Sequence, residues 1–224
     1  MGFTASIYVS LLVSFSACFS ANATINLTDL ANNGVKNWAP EVFSGQTNYS
    51  VQPYKGRLAL KAVSHNAASG LVLKQQIDLL ETPYLNWSWL AEKALPVLDE
   101  RNKSGDDYIA RIYLVIEGGL FVWRTKSISY VWSSNQAKGQ VWNNAYAGSN
   151  LKMIALRGQE DPLGQWHQER RNIYQDLITH FGDKGSDKAN RKAYRYIDVI
   201  AIMTDTDNSA SQAESYYGEI TLSD

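Results

Sequence analysis

Most of the chain between residues 57 and 222 consists of short apolar or alternating segments separated by turn-forming residues. Such segments, rich in β-branched and aromatic residues and evenly spaced, are typical of β-sandwiches and barrels. We therefore predict a mainly β protein, a β-sandwich or jelly roll of about eight or nine strands. The predicted strands are 57–63, 70–77, 84–91, 108–117, 121–132, 151–156, 197–204 and 217–222.

Residues 166–181 have a helical pattern instead. Their apolar positions recur at helical spacing, and Gly182 follows as a natural C-terminal stop. We predict one amphipathic helix, packed on or between the sheets. Glu169, Asn172 and Asp176 would share one face of this helix, either as a polar site or as an ordinary solvated surface.

The N-terminal segment has the features of a signal peptide. An apolar run at 7–20 is followed by a small-x-small pattern at 21–23, and the run is too short for a membrane span. We predict a signal peptide at 1–23 and a single β-sandwich domain at 24–224, located in the periplasm or secreted. Cys18, the only cysteine, also allows the alternative of a lipid anchor.

Charge and motifs exclude several function classes. The formal net charge is −1, whereas nucleic-acid binding calls for a basic stripe. The local basic run at 188–195 is explained by a solvated loop. The three histidines lack metal-ligand spacing, and the chain has no P-loop, dinucleotide fingerprint or Gly-x-Ser-x-Gly elbow.

The segment 107–117 contains one charged residue in an apolar strand. Alternation places Arg111 with Asp107 on one face and Tyr108 with the core residues on the other. A buried charge is costly unless it is paired, so Arg111 requires a partner, and extended geometry keeps Asp107 too far away. The candidate partners are Asp205, Asp207, Glu169 and Asp176; the alternative is an edge position in water.

An acidic loop follows the strand at 197–204. Asp205, Asp207 and Asn208 offer oxygen atoms that suit Ca²⁺, but the loop lacks the glycine and distal glutamate of an EF-hand, so the calcium signal is weak and no cofactor is predicted. Paired carboxylates are also the acid and base of glycoside cleavage. The plain alternative is a turn, because Asp and Asn side chains bond nearby backbone.

Two pairs of aromatic residues, at 87 and 89 and at 130 and 132, each project to one face of a predicted strand. Planar rings on a sheet can stack on sugars. Large rings also supply much of the buried area of β-sandwich cores, and core packing is the better interpretation from the sequence.

Several motifs, in order, resemble the bacterial domain-of-unknown-function 3047 family over residues 38–223. They include Gly-Asp-Asp at 105–107, Glu-Arg-Arg-Asn at 169–172 and Met-Thr-Asp-Thr-Asp-Asn at 203–208. The resemblance implies an exported protein with a galactose-binding-like jelly roll and no assigned activity. An insertion-like stretch at 94–103 departs from the pattern.

The polar motifs of that family coincide with the charged residues at predicted strand ends. We expect them to converge in one charged ligand-binding pocket. They are Asp106, Asp107, Arg111, Glu169, Arg170, Asn172, Asp176, Asp205, Asp207 and Asn208.

The leading functional hypothesis is a module that binds a carbohydrate or a cell-envelope glycan. One alternative is a glycan-cleaving enzyme that uses two of the carboxylates of Asp107, Glu169 and Asp205. The other is an envelope scaffold or interaction protein, in which the charged groups only hold the sandwich together.

Overall fold

The computed structural model describes residues 23–32, 34–120 and 122–224; the predicted signal peptide, with Cys18, lies outside them except for residue 23. The strands are β1 (Thr24–Asn26), β2 (Ala39–Ser44), β3 (Asn48–Tyr54), β4 (Arg57–His65), β5 (Ala68–Asp78), β6 (Tyr84–Lys93), β7 (Ala110–Ile116), β8 (Lys126–Trp132), β9 (Val141–Asn144), β10 (Gly148–Arg157), β11 (His167–Asn172), β12 (Tyr196–Asp205), β13 (Gln212–Tyr217) and β14 (Thr221–Ser223). The helices are α1 (Ile173–Phe181) and α2 (Asp187–Tyr194).

The strands form two seven-stranded sheets. Sheet A has the order β1-β14-β6-β13-β4-β3, with β11 also paired to β6, and sheet B has the order β2-β5-β12-β7-β8-β10-β9. Among the described strands, β8 and β10 form a parallel pair, whereas the other pairs are antiparallel. The predicted mainly β jelly roll is thereby confirmed.

The core lies between the inner faces of the two sheets. Trp87 of sheet A stacks on Tyr130 of sheet B at 5.5 Å between ring centroids, and Trp89 and Trp132 join the same layer. All four rings are buried. The preferred interpretation of these aromatic residues is correct, and they offer no surface for sugar stacking.

The strands that sequence reasoning missed include the two sheet-edge strands β2 and β3. Each contains a proline, Pro40 or Pro53, and both strands are mostly exposed. Proline cannot donate to a β-ladder and is found at sheet edges, where the apolar alternation that marks a buried strand is also absent.

The predicted helix at 166–181 is wrong in its first part. Residues His167–Asn172 form β11 and pair with β6, and the helix α1 begins only at Ile173. Backbone pairing to a neighbouring strand overrides a local helical pattern. The basic run predicted to be a solvated loop lies largely in a second helix, α2, whose N-terminus is capped by Ser186. Neither described helix has the length and hydropathy of a membrane span.

Candidate functional site

A cavity of about 360 Å³ lies at one end of sheet B, on its outer face. Here β12 ends at Asp205, β7 begins at Ala110, and the turn between β9 and β10 closes over them. Antiparallel pairing of β12 with β7 sets Met203 opposite Arg111, so side chains from both strands meet at this end. The lining residues are Phe43, Ser44, Ala68, Asp106, Arg111, Tyr113, Asn144, Tyr146, Met203, Asp205, Asp207 and Asn208.

Arg111 is the central charge of the cavity and is only 3% exposed. Its Nη2 donates to Asp205 Oδ2 at 2.5 Å, and its guanidinium contacts the rings of Tyr108 and Tyr113, at 4.9 and 5.0 Å from their centroids. Its Nε and Nη1 are buried and have no hydrogen-bond partner among the described residues. Because buried donors are normally bonded, these two nitrogens leave hydrogen-bonding capacity unused in the wall of the cavity.

Asp106 is a second buried carboxylate of the cavity. Asn144 Nδ2 donates to both of its oxygens, at 2.9 and 3.0 Å, and the Tyr108 hydroxyl donates at 3.2 Å. Arg111 Nη1 lies 3.9 Å away. Burial raises the pKa of Asp106, and the charge of Arg111 opposes that rise.

Asp205, at the end of β12, is a third buried carboxylate and is 1% exposed. Burial raises its pKa; Arg111 opposes this effect, while the carboxylates of Asp107, Asp106 and Asp207 reinforce it. The guanidinium itself stays protonated, since the carboxylates around Arg111 raise its pKa against the effect of burial. The pocket therefore holds a permanent cation among acids that repel one another.

Asp107 holds the acidic loop. Its oxygens accept from the backbone N–H of Asn208 at 3.2 Å, from the N–H of Ser209 at 2.7 Å and from the Ser209 hydroxyl at 2.5 Å. The side chain is fully buried. Asp107 therefore positions the loop that carries Asp207 and Asn208.

Carboxylate oxygens of Asp107, Asp205 and Asp207 lie within 4.8 Å of one another, which is the geometry from which a cation site could form. The Asp107 oxygens are already used by the loop, and Asp205 accepts from Arg111 and from the Tyr108 N–H at 3.4 Å. A hard cation would have to replace these bonds. We assign no ion to this cluster.

The other predicted site residues lie elsewhere. Glu169, on β11, accepts from Trp89 Nε1 at 3.0 Å and from Arg157 Nε at 2.5 Å. Arg170 stacks on the ring of Tyr84 at 3.6 Å. Glu169 and Arg170 line a separate groove of about 850 Å³ on sheet A.

Asn172 and Asp176 have structural partners. Asn172 caps α1 by accepting from the Gln175 N–H at 2.9 Å. Asp176 is buried, accepts from the Tyr130 hydroxyl at 2.6 Å and forms two bonds with Arg171. These contacts fix the helix to the core rather than opening a site.

The expectation of one pocket for all ten residues is therefore wrong. Asp106, Asp107, Arg111, Asp205, Asp207 and Asn208 come together, whereas the four residues at 169–176 do not, because β11 belongs to sheet A. Tyr108 also differs from the prediction. Strand β7 starts only at Ala110, so Tyr108 precedes the strand and the alternation of strand side chains does not apply to it. Its ring lies against Arg111.

Sequence reasoning missed three residues that matter here. Asn144 holds Asp106, and Tyr146, 59% exposed, donates from its hydroxyl to Asn208 Oδ1 at 2.7 Å. Glu100, in the insertion-like stretch at 94–103, is fully buried. The Asn-Asn pair at 143–144 before a glycine-containing turn was the only signal for Asn144, and it indicates a turn as readily as a site.

Glu100 allows a test of how burial changes the pKa of a carboxyl group and, through it, the stability of the protein. It accepts from the Ser133 hydroxyl at 2.6 Å and from the Ser134 N–H and hydroxyl at 2.5 and 2.9 Å. Burial raises its pKa above the ordinary value of 4.5, so its contribution to stability is complete below that pH and is lost as pH rises through the folded-state pKa. We expect Glu100→Gln to match the wild type near about pH 4 and to become progressively more stable than it towards neutrality.

Melting temperatures of the two proteins over a pH series measure this difference. The exposed Glu160→Gln is the matched control and should follow the wild-type curve. Parallel curves for wild type and Glu100→Gln would show that the Glu100 carboxyl does not titrate differently in the folded state.

Fold and site together define a class: a jelly-roll β-sandwich with a buried arginine–carboxylate pocket at one end of a sheet. The chain belongs to the family described as protein of unknown function (DUF3047), which matches residues 36–221. No curated protein matches the chain in sequence.

Solved structures with a similar fold are distant in sequence. A thermostable cellulase derived from Cel12A of Rhodothermus marinus is 9% identical, with coverage of 90% of this chain and 100% of the other and a TM-score of 0.45. The xyloglucanase domain of NopAA from Sinorhizobium fredii is 10% identical (84% and 93% coverage, TM-score 0.44). The xylan-binding module CBM86 of Roseburia intestinalis is 11% identical (91% and 95%, TM-score 0.31). No ligand or activity of this chain follows from such similarity.

Proposed function

We propose that the protein binds a carbohydrate or a cell-envelope glycan in the cavity around Arg111. The observation that carries this proposal is the pair of buried Arg111 nitrogens that have no hydrogen-bond partner in the described part of the chain, in a cavity otherwise rich in acceptors. Sugar hydroxyls both donate and accept hydrogen bonds. They match a site in which an arginine donates while Asp207 and Asn208 can accept.

The rim supports the same assignment. Phe43 is 68% exposed and Tyr146 is 59% exposed, and both line the cavity. Exposed rings beside a polar cavity suit the apolar face of a pyranose. The bond from the Tyr146 hydroxyl to Asn208 holds one ring in place before a ligand arrives.

We also propose that the protein acts in the periplasm or outside the cell. The support is the signal-peptide pattern of residues 1–23, which stays a prediction. N-terminal sequencing of the protein from a fractionated bacterial host tests it. An uncleaved N-terminus in the cytoplasmic fraction would contradict it.

The binding proposal is tested by retention of the purified protein on peptidoglycan and a panel of polysaccharides. We expect retention on at least one polymer and its loss, by about tenfold in affinity, in Tyr146→Ala. Tyr196→Ala, an exposed tyrosine outside the cavity, is the matched control. Failure to bind any member of the panel, in folded protein, would overturn the proposal.

Glycan cleavage is the second candidate, and one observation favours it. Asp106 and Asp205 line the same cavity, and burial raises the pKa of each, as a general acid near neutral pH requires. Mass spectrometry of soluble products from the same polymers decides this point. New oligosaccharides that disappear with Asp106→Asn would establish an enzyme, whereas retention without products supports a binding module.

A further inference from the structure

The charge balance of the cavity narrows the ligand class, if the proposed function holds. Among the described residues that line it, Arg111 is the basic one, against the carboxylates of Asp106, Asp205 and Asp207. Lys103 lies nearby, with its Nζ 5.0 Å from the centre of the Tyr146 ring, and offsets part of the excess negative charge. The cavity nevertheless contains more acids than bases.

The guanidinium of Arg111 already forms an ion pair with one of these carboxylates. Its Nη2 pairs with Asp205, and Nη1 is 3.9 Å from Asp106. The half-buried Asp207 therefore has no basic partner among the described residues that line the cavity. A ligand carboxylate or phosphate that reached the spare Arg111 nitrogens would stand beside these carboxylates. Like charges in a site shielded from water repel strongly, so an anionic ligand is disfavoured.

Arg111 Nε and Nη1 still lack a hydrogen-bond acceptor among the described residues. Because the carboxylates repel anions, a neutral acceptor suits these two nitrogens best. A sugar hydroxyl oxygen meets that need at Arg111, while an adjacent ammonium group would pair with Asp207. A vicinal hydroxyl and amine are the groups that a 2-amino sugar presents together.

We propose that the cavity selects sugars that bear a free amine over their N-acetylated, neutral and uronic-acid counterparts. The cavity volume of about 360 Å³ lies at the lower end of the range for small-ligand sites. It suits one sugar unit or a chain end rather than several consecutive units.

Calorimetric titration with four short oligosaccharides tests this assignment: glucosamine, N-acetylglucosamine, glucose and galacturonate trimers. At about pH 6 the amine carries its charge. We expect the glucosamine trimer to bind about tenfold more tightly than the N-acetylated and neutral trimers, the galacturonate trimer to bind most weakly, and added salt to reduce the preference.

Variants separate this inference from the binding proposal itself. Asp207→Asn should remove most of the preference for the amine, because it should weaken binding of the glucosamine trimer far more than binding of the neutral trimer, and Glu160→Gln should change neither affinity. Equal binding of all four trimers, or tighter binding of galacturonate, overturns the amine inference but leaves sugar binding standing. No binding of the trimers or of the polymer panel overturns both. Galacturonate binding that requires calcium would also overturn the amine inference, and would place a cation at the cluster of Asp107, Asp205 and Asp207.

Discussion

Arg111→Met should lower the free energy of unfolding by about 3–5 kcal/mol. Methionine has nearly the length of the arginine stem, so the loss comes from the guanidinium, which supplies both the charge and the contacts with the rings of Tyr108 and Tyr113. It leaves the buried Asp205 carboxylate without the guanidinium that contacts it at 2.5 Å. Urea unfolding at neutral pH measures the loss. The loss should shrink as pH falls, because an unpaired buried carboxyl takes up a proton.

Two further variants show whether the loss comes from the unpaired charge. The double variant Arg111→Met/Asp205→Asn removes both charges and should be more stable than Arg111→Met alone. Arg191→Met, at an exposed position of α2, should change stability by less than about 1 kcal/mol. If Arg111→Met also changes stability by less than that, the buried pair does not stabilise the sandwich.

Asp107→Ala should have the second largest effect, about 3 kcal/mol, and should abolish ligand binding. The substitution removes the acceptor of three bonds from Asn208 and Ser209 and leaves those donors beside a buried position. The loop that carries Asp207 and Asn208 then loses its attachment. Urea unfolding measures the loss of stability. Hydrogen exchange of the amides at 208 and 209 measures the detachment of the loop.

Asp207→Ala is the matched control on the same loop. Asp207 is only half-buried, and its carboxylate stands among others that repel it, so its removal should change stability by less than about 1 kcal/mol. Protection of the Ser209 amide that survives Asp107→Ala would show that other contacts hold the loop.

The contact between Arg111 on β7 and Asp205 at the end of β12 is the part of the site that could be predicted from the sequence. Arg111 in an apolar strand needs a partner unless it lies at an edge in water, and Asp205, just after the buried strand 197–204, is among the candidates. Pairing of β12 with β7 then brings the two together at one sheet end. Local charge and strand pattern were sufficient because the two residues lie on neighbouring strands.

The residues of 169–176 could not be placed in the same way. Their spacing fits a helix, and only pairing with β6 shows that Glu169 and Arg170 belong to a strand of the opposite sheet. Likewise, nothing local brings Asn144 to Asp106 or Tyr146 to Asn208. These contacts depend on how the β9–β10 turn folds over the strand ends.

The sequence by itself determined the mainly β class, the buried core strands and the need of Arg111 for a carboxylate, because each follows from alternation and from the cost of burying a charge. The tertiary structure alone decided which charged residues share a cavity. Strand order and sheet membership are long-range properties: they join residues such as Asp106 and Asn144, which no local pattern relates.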